Sequence, residues 1–221
     1  MAVSLVSVPL LLHGLGTVEF GTYALLLTFS AINGWFSLLD LGVWTAATRE
    51  IAAKSSIDRP EEATHVVRTA FAAVSAIGVS AAALFALVGP WVLATVFRTP
   101  EHLVVDLRFA ILAFSGTIVF DLMTETAEAC LEGFQRVDLS RGCDAFRRGV
   151  FAAATCTAAL SNGGLRGVAT AGLGAAGLGA LVTAVVLRRH LTPTTTRRLQ
   201  RRSGVMAARR RDGFGDWVAR I

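Results

Sequence analysis

From Thr69 to Phe97 the chain carries no Asp, Glu, Lys or Arg. A bilayer core about 30 Å thick needs roughly 20 apolar helical residues to cross it, and this stretch exceeds that with room to tilt. Gly167 to Leu187 is a second uncharged stretch of sufficient length, and Gly21 to Leu39 a third that becomes comfortable if its helix runs on to Thr48. Segments of this kind exclude a single soluble core with a charged shell. Composition agrees: of 221 residues, 53% are hydrophobic and 17% charged, against roughly 25% charged in an ordinary soluble domain, and the mean hydropathy is +0.58.

Three further segments are apolar but short. Phe109 to Phe120 is uncharged, so its helix must take in Leu103 to Leu107 or carry acidic residues into the membrane. Gly149 to Gly163 can be lengthened through Ala145 and Phe146, with Arg147 and Arg148 reaching back to the headgroups. At the start, "MAVSLVSVPLLLHGLG" offers about half a span before Gly14 and Gly16. The expected fold is therefore all-α, a multi-pass transmembrane bundle of about six helices with the first truncated. It occupies residues 1–187, and 188–221 form a basic tail.

Lys and Arg resist translocation, so their placement predicts orientation. Of the 21 Lys and Arg, only Arg98, Arg108 and Arg166 fall in one set of connections. All the others lie between the second and third helices, between the fourth and fifth, or after the sixth. This alternation supports the helix count and puts the N-terminus and the tail on the cytoplasmic side. It also accounts for the pI of about 10.0, so the tail "RRLQRRSGVMAARRR" is read as touching anionic lipid headgroups and nucleic acid is not an expected partner. A secretory leader is not expected, because the chain starts without a charged n-region.

The residues show no catalytic constellation. His13, His65, His102 and His190 are far apart, and Cys130, Cys143 and Cys156 have neither paired nor metal-ligand spacing. No Gly-rich loop ends in Lys-Ser, and "GGLRG" lacks a strand-to-helix context. The glycines of "TAGLGAAGLGALV", Gly172, Gly174, Gly177 and Gly179, are those of a membrane helix that approaches its neighbours closely. An enzyme, a metal site and a bound cofactor are not expected.

Two charged features stand out. Asp40 ends an uncharged run, and Arg49 and Glu50 follow. On one continuous helix Asp40 and Arg49 would face opposite ways, with Asp40 about 13 Å deeper. An intramembrane carboxylate there needs a partner helix, a wet cavity or a break at Gly42. The second feature is "DLMTETAEACLEG", in which Asp121, Glu125, Glu128 and Glu132 lie within about 60° of one helical face. If the fourth helix spans about 104 to 130, this stripe faces the bundle, where it pairs with basic residues, carries protons or binds a coupling cation. The alternative is a membrane segment that stops near Phe120 and a solvated acidic extension.

"LGTVEFGTYALLL", followed by "LLDLGVWTAATREIA" and, later, "LEGFQRVDL", resembles the oligosaccharide and polysaccharide flippases of the multidrug/oligosaccharidyl-lipid/polysaccharide exporter superfamily. The matching pattern is a Leu-Gly, a Phe-Gly, an apolar helix, an Asp-Leu-Gly with Arg-Glu, and then a Glu-Gly-x-Gln-Arg run after the fourth helix. It covers about the first 140 residues, so the resemblance is to an N-terminal half. It implies a flippase-like fold and a bacterial plasma-membrane transporter acting in cell-surface polysaccharide biosynthesis. The cargo so implied is an undecaprenyl-diphosphate-linked saccharide, moved between leaflets by alternating access. The cost of intramembrane carboxylates makes Asp40, Asp121, Glu125 and Glu128 candidates for the transport cavity or for coupling to H+ or Na+. Arg49, Glu50, Glu132 and Arg136 become the motif residues at the cytoplasmic interface. No Arg falls in the middle of an expected span. Since such flippases have twelve or more helices, the chain is expected to be a half transporter that pairs with itself or a second chain. The alternative is a non-transporting fragment or assembly partner.

Overall fold

The computed structural model describes residues 2–28, 42–56, 60–96, 104–161 and 163–191. They form six helices: α1 (Ala2–Thr28), α2 (Val43–Ser56), α3 (Pro60–Val96), α4 (Val104–Gly133), α5 (Val137–Leu160) and α6 (Gly164–Leu191). α1, α3, α4 and α6 contain segments long and apolar enough to cross a membrane. α5 has 24 residues, which is length enough, but its first half is charged. The chain is an all-α, multi-pass transmembrane helical bundle.

α1 is kinked at Gly16, which leaves helical geometry (φ 75°, ψ 172°). One expectation needs correction. Gly21 to Thr48 do not form one helix: Gly21 to Thr28 complete α1, and Gly42 sits at φ 80° with α2 beginning at Val43. That left-handed conformation suits a residue without Cβ. The opposed placement of Asp40 and Arg49 on a shared helix therefore does not apply, and Asp40 lies outside the described residues. α2 has 14 residues, about 21 Å at 1.5 Å per residue, too short to cross.

α4 is the central helix. Its most apolar window is 61% buried, against 28 to 33% for those of α1, α3 and α6. Leu107, Ile111, Phe114, Ile118 and Leu122 of α4 pack with Leu15, Tyr23 and Leu26 of α1, Phe85 of α3, and Leu165 and Val168 of α6. Outward-facing side chains such as Leu84, Leu87, Leu112 and Leu181 are apolar and more than 60% exposed, a surface suited to acyl chains and costly in water.

A second cluster closes one end, where Ile51 of α2, Val66 and Val67 of α3, Leu131 of α4 and Leu187 of α6 meet. This is the end that carries the basic connections. A salt bridge from Lys54 to Glu62 at 3.6 Å ties α2 to α3 there, and Lys54 also pairs with Glu50 of its own helix at 3.1 Å. At the opposite end Arg166 of α6 pairs with Asp106 of α4.

The α4–α5 turn is the "LEGFQRVDL" run. Three backbone N–H groups, of Phe134, Gln135 and Arg136, donate to Cys130, Glu132 and Leu131 carbonyls. These bonds satisfy helix-end acceptors and reverse the chain, so that α5 runs back along α4. Gln135 takes φ 61° to make the turn.

Candidate functional site

The acidic face of α4 meets α5. Asp121, Glu125 and Glu128 have side chains 7%, 19% and 13% exposed, so the stripe turns into the bundle. Its partner is Arg147 of α5, whose side chain is 3% exposed. One guanidinium nitrogen, Nη1, donates to Asp121 Oδ1 at 3.3 Å. The other, Nη2, donates to Glu125 Oε1 at 3.4 Å and to Asp144 Oδ1 at 3.1 Å. Nε lies 3.9 Å from Glu128 Oε1, beyond hydrogen-bonding range.

This overturns the expectation that Arg147 reaches back to the headgroups. Only Arg148 turns outward, 51% exposed and held to Asp144 at 2.8 Å. The reason is geometric. Isolated, an α5 beginning at Ala145 would keep both arginines at its end, but the helix begins at Val137 and thereby places Arg147 three turns in. There a continuous acidic face is within reach, and the buried guanidinium is offset by carboxylates paired with Nη1 and Nη2.

Glycine on α6 makes the room. A Cβ built on Gly179 would lie 3.1 Å from Arg147 Cγ, tighter than ordinary van der Waals contact. Gly172 similarly admits Phe151, Gly177 stands in looser contact with Phe120, and Gly174 faces open space. Close approach is thus the role of Gly172 and Gly179, but not of Gly174. Gly179→Leu is expected to displace the Arg147 stem and lower stability by about 1–3 kcal/mol, the usual range for overpacking. Chemical denaturation in micelles checks this, with Gly174→Leu as the neutral comparison.

Above the cluster a cavity of about 490 Å³ opens between α2, α4 and α5. Trp44, Thr48 and Arg49 of α2 form one wall, and Glu125, Glu128 and Glu132 of α4 another. Arg141, Asp144, Arg147 and Arg148 of α5 form the third. α2 is fixed on α4 by Trp44 Nε1, which donates to Thr126 Oγ1 at 3.2 Å, and by Thr48 Oγ1, which donates to the Ala129 carbonyl at 3.0 Å. Glu132 accepts from Ser140 Oγ at 3.1 Å and faces Arg141 at 3.8 Å.

Of the residues singled out in the sequence, Asp121, Glu125 and Glu128 are brought together around Arg147, while Glu132 and Arg49 reach the cavity. Glu50 pairs with Lys54 on the surface of α2, and Arg136 precedes α5 at the turn. Arg147 is the residue sequence reasoning missed, although the unneutralised acidic stripe and Asp144 one turn before it were signals for it. Among the described residues no group of three or more His, Cys, Asp or Glu is arranged to hold a metal ion. Cys130 and Cys143 are buried and all three cysteines are free.

Comparison with protein-family models, curated proteins and solved structures finds no match. A charged cluster inside a transmembrane bundle, beneath a polar cavity, is consistent with a membrane transport protein in general.

Proposed function

We propose that the chain is one half of a transporter for lipid-linked saccharide, in the plasma membrane of a bacterium, with the cavity between α2, α4 and α5 as part of the translocation path. The observation that carries this reading is the polar cavity itself, floored by a buried Arg147 and rimmed by Arg49, Arg141 and Arg148. Ionisable groups inside a bundle are costly and mark pathways for polar cargo. A pyrophosphate-sugar head group cannot cross hydrocarbon unaided, and guanidinium groups are suited to phosphate oxygens. The distribution of Lys and Arg supports a cytoplasmic opening for the cavity and a cytoplasmic N-terminus and tail. The sequence resemblance of "LLDLGVWTAATREIA" and "LEGFQRVDL" to flippases supports the class of cargo.

At about 490 Å³ the cavity suits a small head group rather than a whole lipid-linked oligosaccharide. The path is therefore completed by a second copy or a second half-transporter chain. This size also favours the second reading, an assembly partner that does not itself transport.

The test is complementation of a strain lacking its polysaccharide flippase, with membrane levels verified. Surface polysaccharide is expected to return when the chain forms its oligomer or is expressed with a second half. Asp40→Ala and Glu125→Ala are expected to abolish that export without loss of insertion. No restoration with either arrangement, despite stable insertion, favours the assembly reading, and full export in both variants removes these residues from the path.

A further inference from the structure

We propose that the cavity between α2, α4 and α5 binds a head group that carries both a phosphate and a primary ammonium. The inference rests on the reading of this cavity as part of a path for lipid-linked saccharide, and it names the chemistry of the cargo. The lining holds four guanidiniums and four carboxylates, and they are not evenly mixed. Every charged group on the α4 wall is acidic, namely Glu125, Glu128 and Glu132, whereas Arg49 is the one charge on the α2 wall. The α5 wall carries Arg141 and Arg148 beside Asp144. A ligand lying between α2 and α4 therefore has a cation on one side and carboxylates on the other.

The bonding within the protein separates groups that hold the fold from groups left for a ligand. Arg147 is surrounded by carboxylates and Arg148 is held to Asp144 at 2.8 Å, so both are neutralised internally. Arg49, by contrast, makes no side-chain ion pair or hydrogen bond with another described residue. Arg141 is 73% exposed and 3.8 Å from Glu132, a wet and loose contact that holds it weakly. These two guanidiniums, from separate helices, are suited to phosphate oxygens. On the acidic wall Glu128 is the carboxylate short of donors. Asp121, Glu125 and Asp144 each accept from Arg147, while Glu128 Oε1 and Arg147 Nε are buried without a hydrogen-bond partner. Arg147 lies on the cavity floor with its side chain 3% exposed. Buried polar groups left unpaired are costly, and an ammonium arriving at Glu128 brings the donors that the protein does not supply.

Ligands of a single sign fit this arrangement less well. A phosphate without a cation gains Arg49 and Arg141 but meets three carboxylates across the cavity, and like charges brought together are costly. A simple cation meets the same difficulty at the arginines, and a neutral sugar leaves both walls without a counterpart. A zwitterion answers both walls at once, and the opposed charges fix its orientation. Two sources carry this chemistry: a phosphate-linked amino sugar and the phosphoethanolamine head group of a membrane lipid. Either fits a cavity of about 490 Å³, and Trp44 on the α2 wall offers a sugar ring an apolar face.

Titration calorimetry of the full chain in phosphatidylglycerol nanodiscs, with empty discs subtracted, tests the inference using glucosaminyl phosphate, glucosyl phosphate and glucosamine as probes. Glucosaminyl phosphate is expected to bind tighter than either single-charge probe by about tenfold or more, the worth of one charge-assisted hydrogen bond. Arg49→Gln is expected to erase its advantage over glucosamine, and Glu128→Gln its advantage over glucosyl phosphate. Equal affinity for the three probes, no binding, or advantages unchanged in both variants overturns the inference. If Glu128→Gln elutes as an aggregate on size exclusion, the three probes on the native chain and on Arg49→Gln decide the matter. Phosphoethanolamine as a fourth probe separates the sources. Weaker binding than glucosaminyl phosphate upholds the amino sugar as cargo. Equally tight binding, with glucosaminyl phosphate excluded from discs of phosphatidylethanolamine, upholds the paired charges and overturns the sugar. Failed complementation with the selectivity present refutes the transport reading alone.

Discussion

Arg147→Ala lowers the unfolding free energy of the bundle by about 3–5 kcal/mol, the cost of leaving buried charges without their partner. The arginine is the shared counter-ion of Asp121, Glu125, Glu128 and Asp144. Its removal leaves carboxylates facing one another, and Asp121, with a side chain 7% exposed, has no route to water. Removing one acid has the opposite balance, since fewer carboxylates then compete for the same guanidinium. Asp121→Asn is therefore expected to cost less than about 1 kcal/mol, as a hydrogen-bond acceptor remains on Oδ1. Arg147→Lys falls between the two, because an ammonium restores charge without the planar fork that reaches Asp121 and Glu125 together. Reversible unfolding in mixed micelles measures all three, and a double-mutant cycle between positions 121 and 147 gives the coupling. An Arg147→Ala loss no larger than that of Asp121→Asn would show that the cluster is not balanced as described.

The second large effect is expected where α1 crosses α5. A Cβ on Gly14 would lie 2.6 Å from the Ala159 carbonyl oxygen and 2.7 Å from its carbon. Both are backbone atoms, so no side chain can swing aside, and α1 itself must shift away from α5. Gly14→Val is expected to cost about 3 kcal/mol, the upper part of the range for overpacking. The contact made by Leu11 and Leu15 with Ala159 and Leu165 in the same cluster loosens with it. Gly174→Ala, where nothing stands within 4 Å, is the matched control and is expected to stabilise α6 by up to about 1 kcal/mol through helix propensity. Equal stability of the two variants would contradict the close crossing.

Much of the architecture is legible in the sequence because it depends on local properties. The uncharged stretches at Thr69 to Phe97 and Gly167 to Leu187 had to become helices in a bilayer, since only internally satisfied backbone can cross hydrocarbon; Thr69 to Val96 lie within α3 and Gly167 to Leu187 within α6. The four-residue and three-residue spacings of Asp121, Glu125, Glu128 and Glu132 put them on one face of α4, as that helix shows. Helix ends were less legible. α3 starts at Pro60, well before the uncharged stretch, because its charged first turns pack on α2 through Glu62 and Lys54. Gly42 divides what hydropathy alone joins, because a hydropathy pattern contains no information about a positive φ.

The sequence by itself determined the class of protein and the acidic face of α4, because chain composition and helical period fix which segments enter a membrane and which side chains share a face. The tertiary structure alone decided that Arg147, and not Arg148, turns inward to meet that face, and that α2 closes a cavity over the cluster. Adjacent arginines point about 100° apart on a helix, so which of them enters depends on how α5 is rotated against α4. That rotation is set by the Gly179 notch on α6 and by the turn at Gln135, contacts between residues that no local pattern relates.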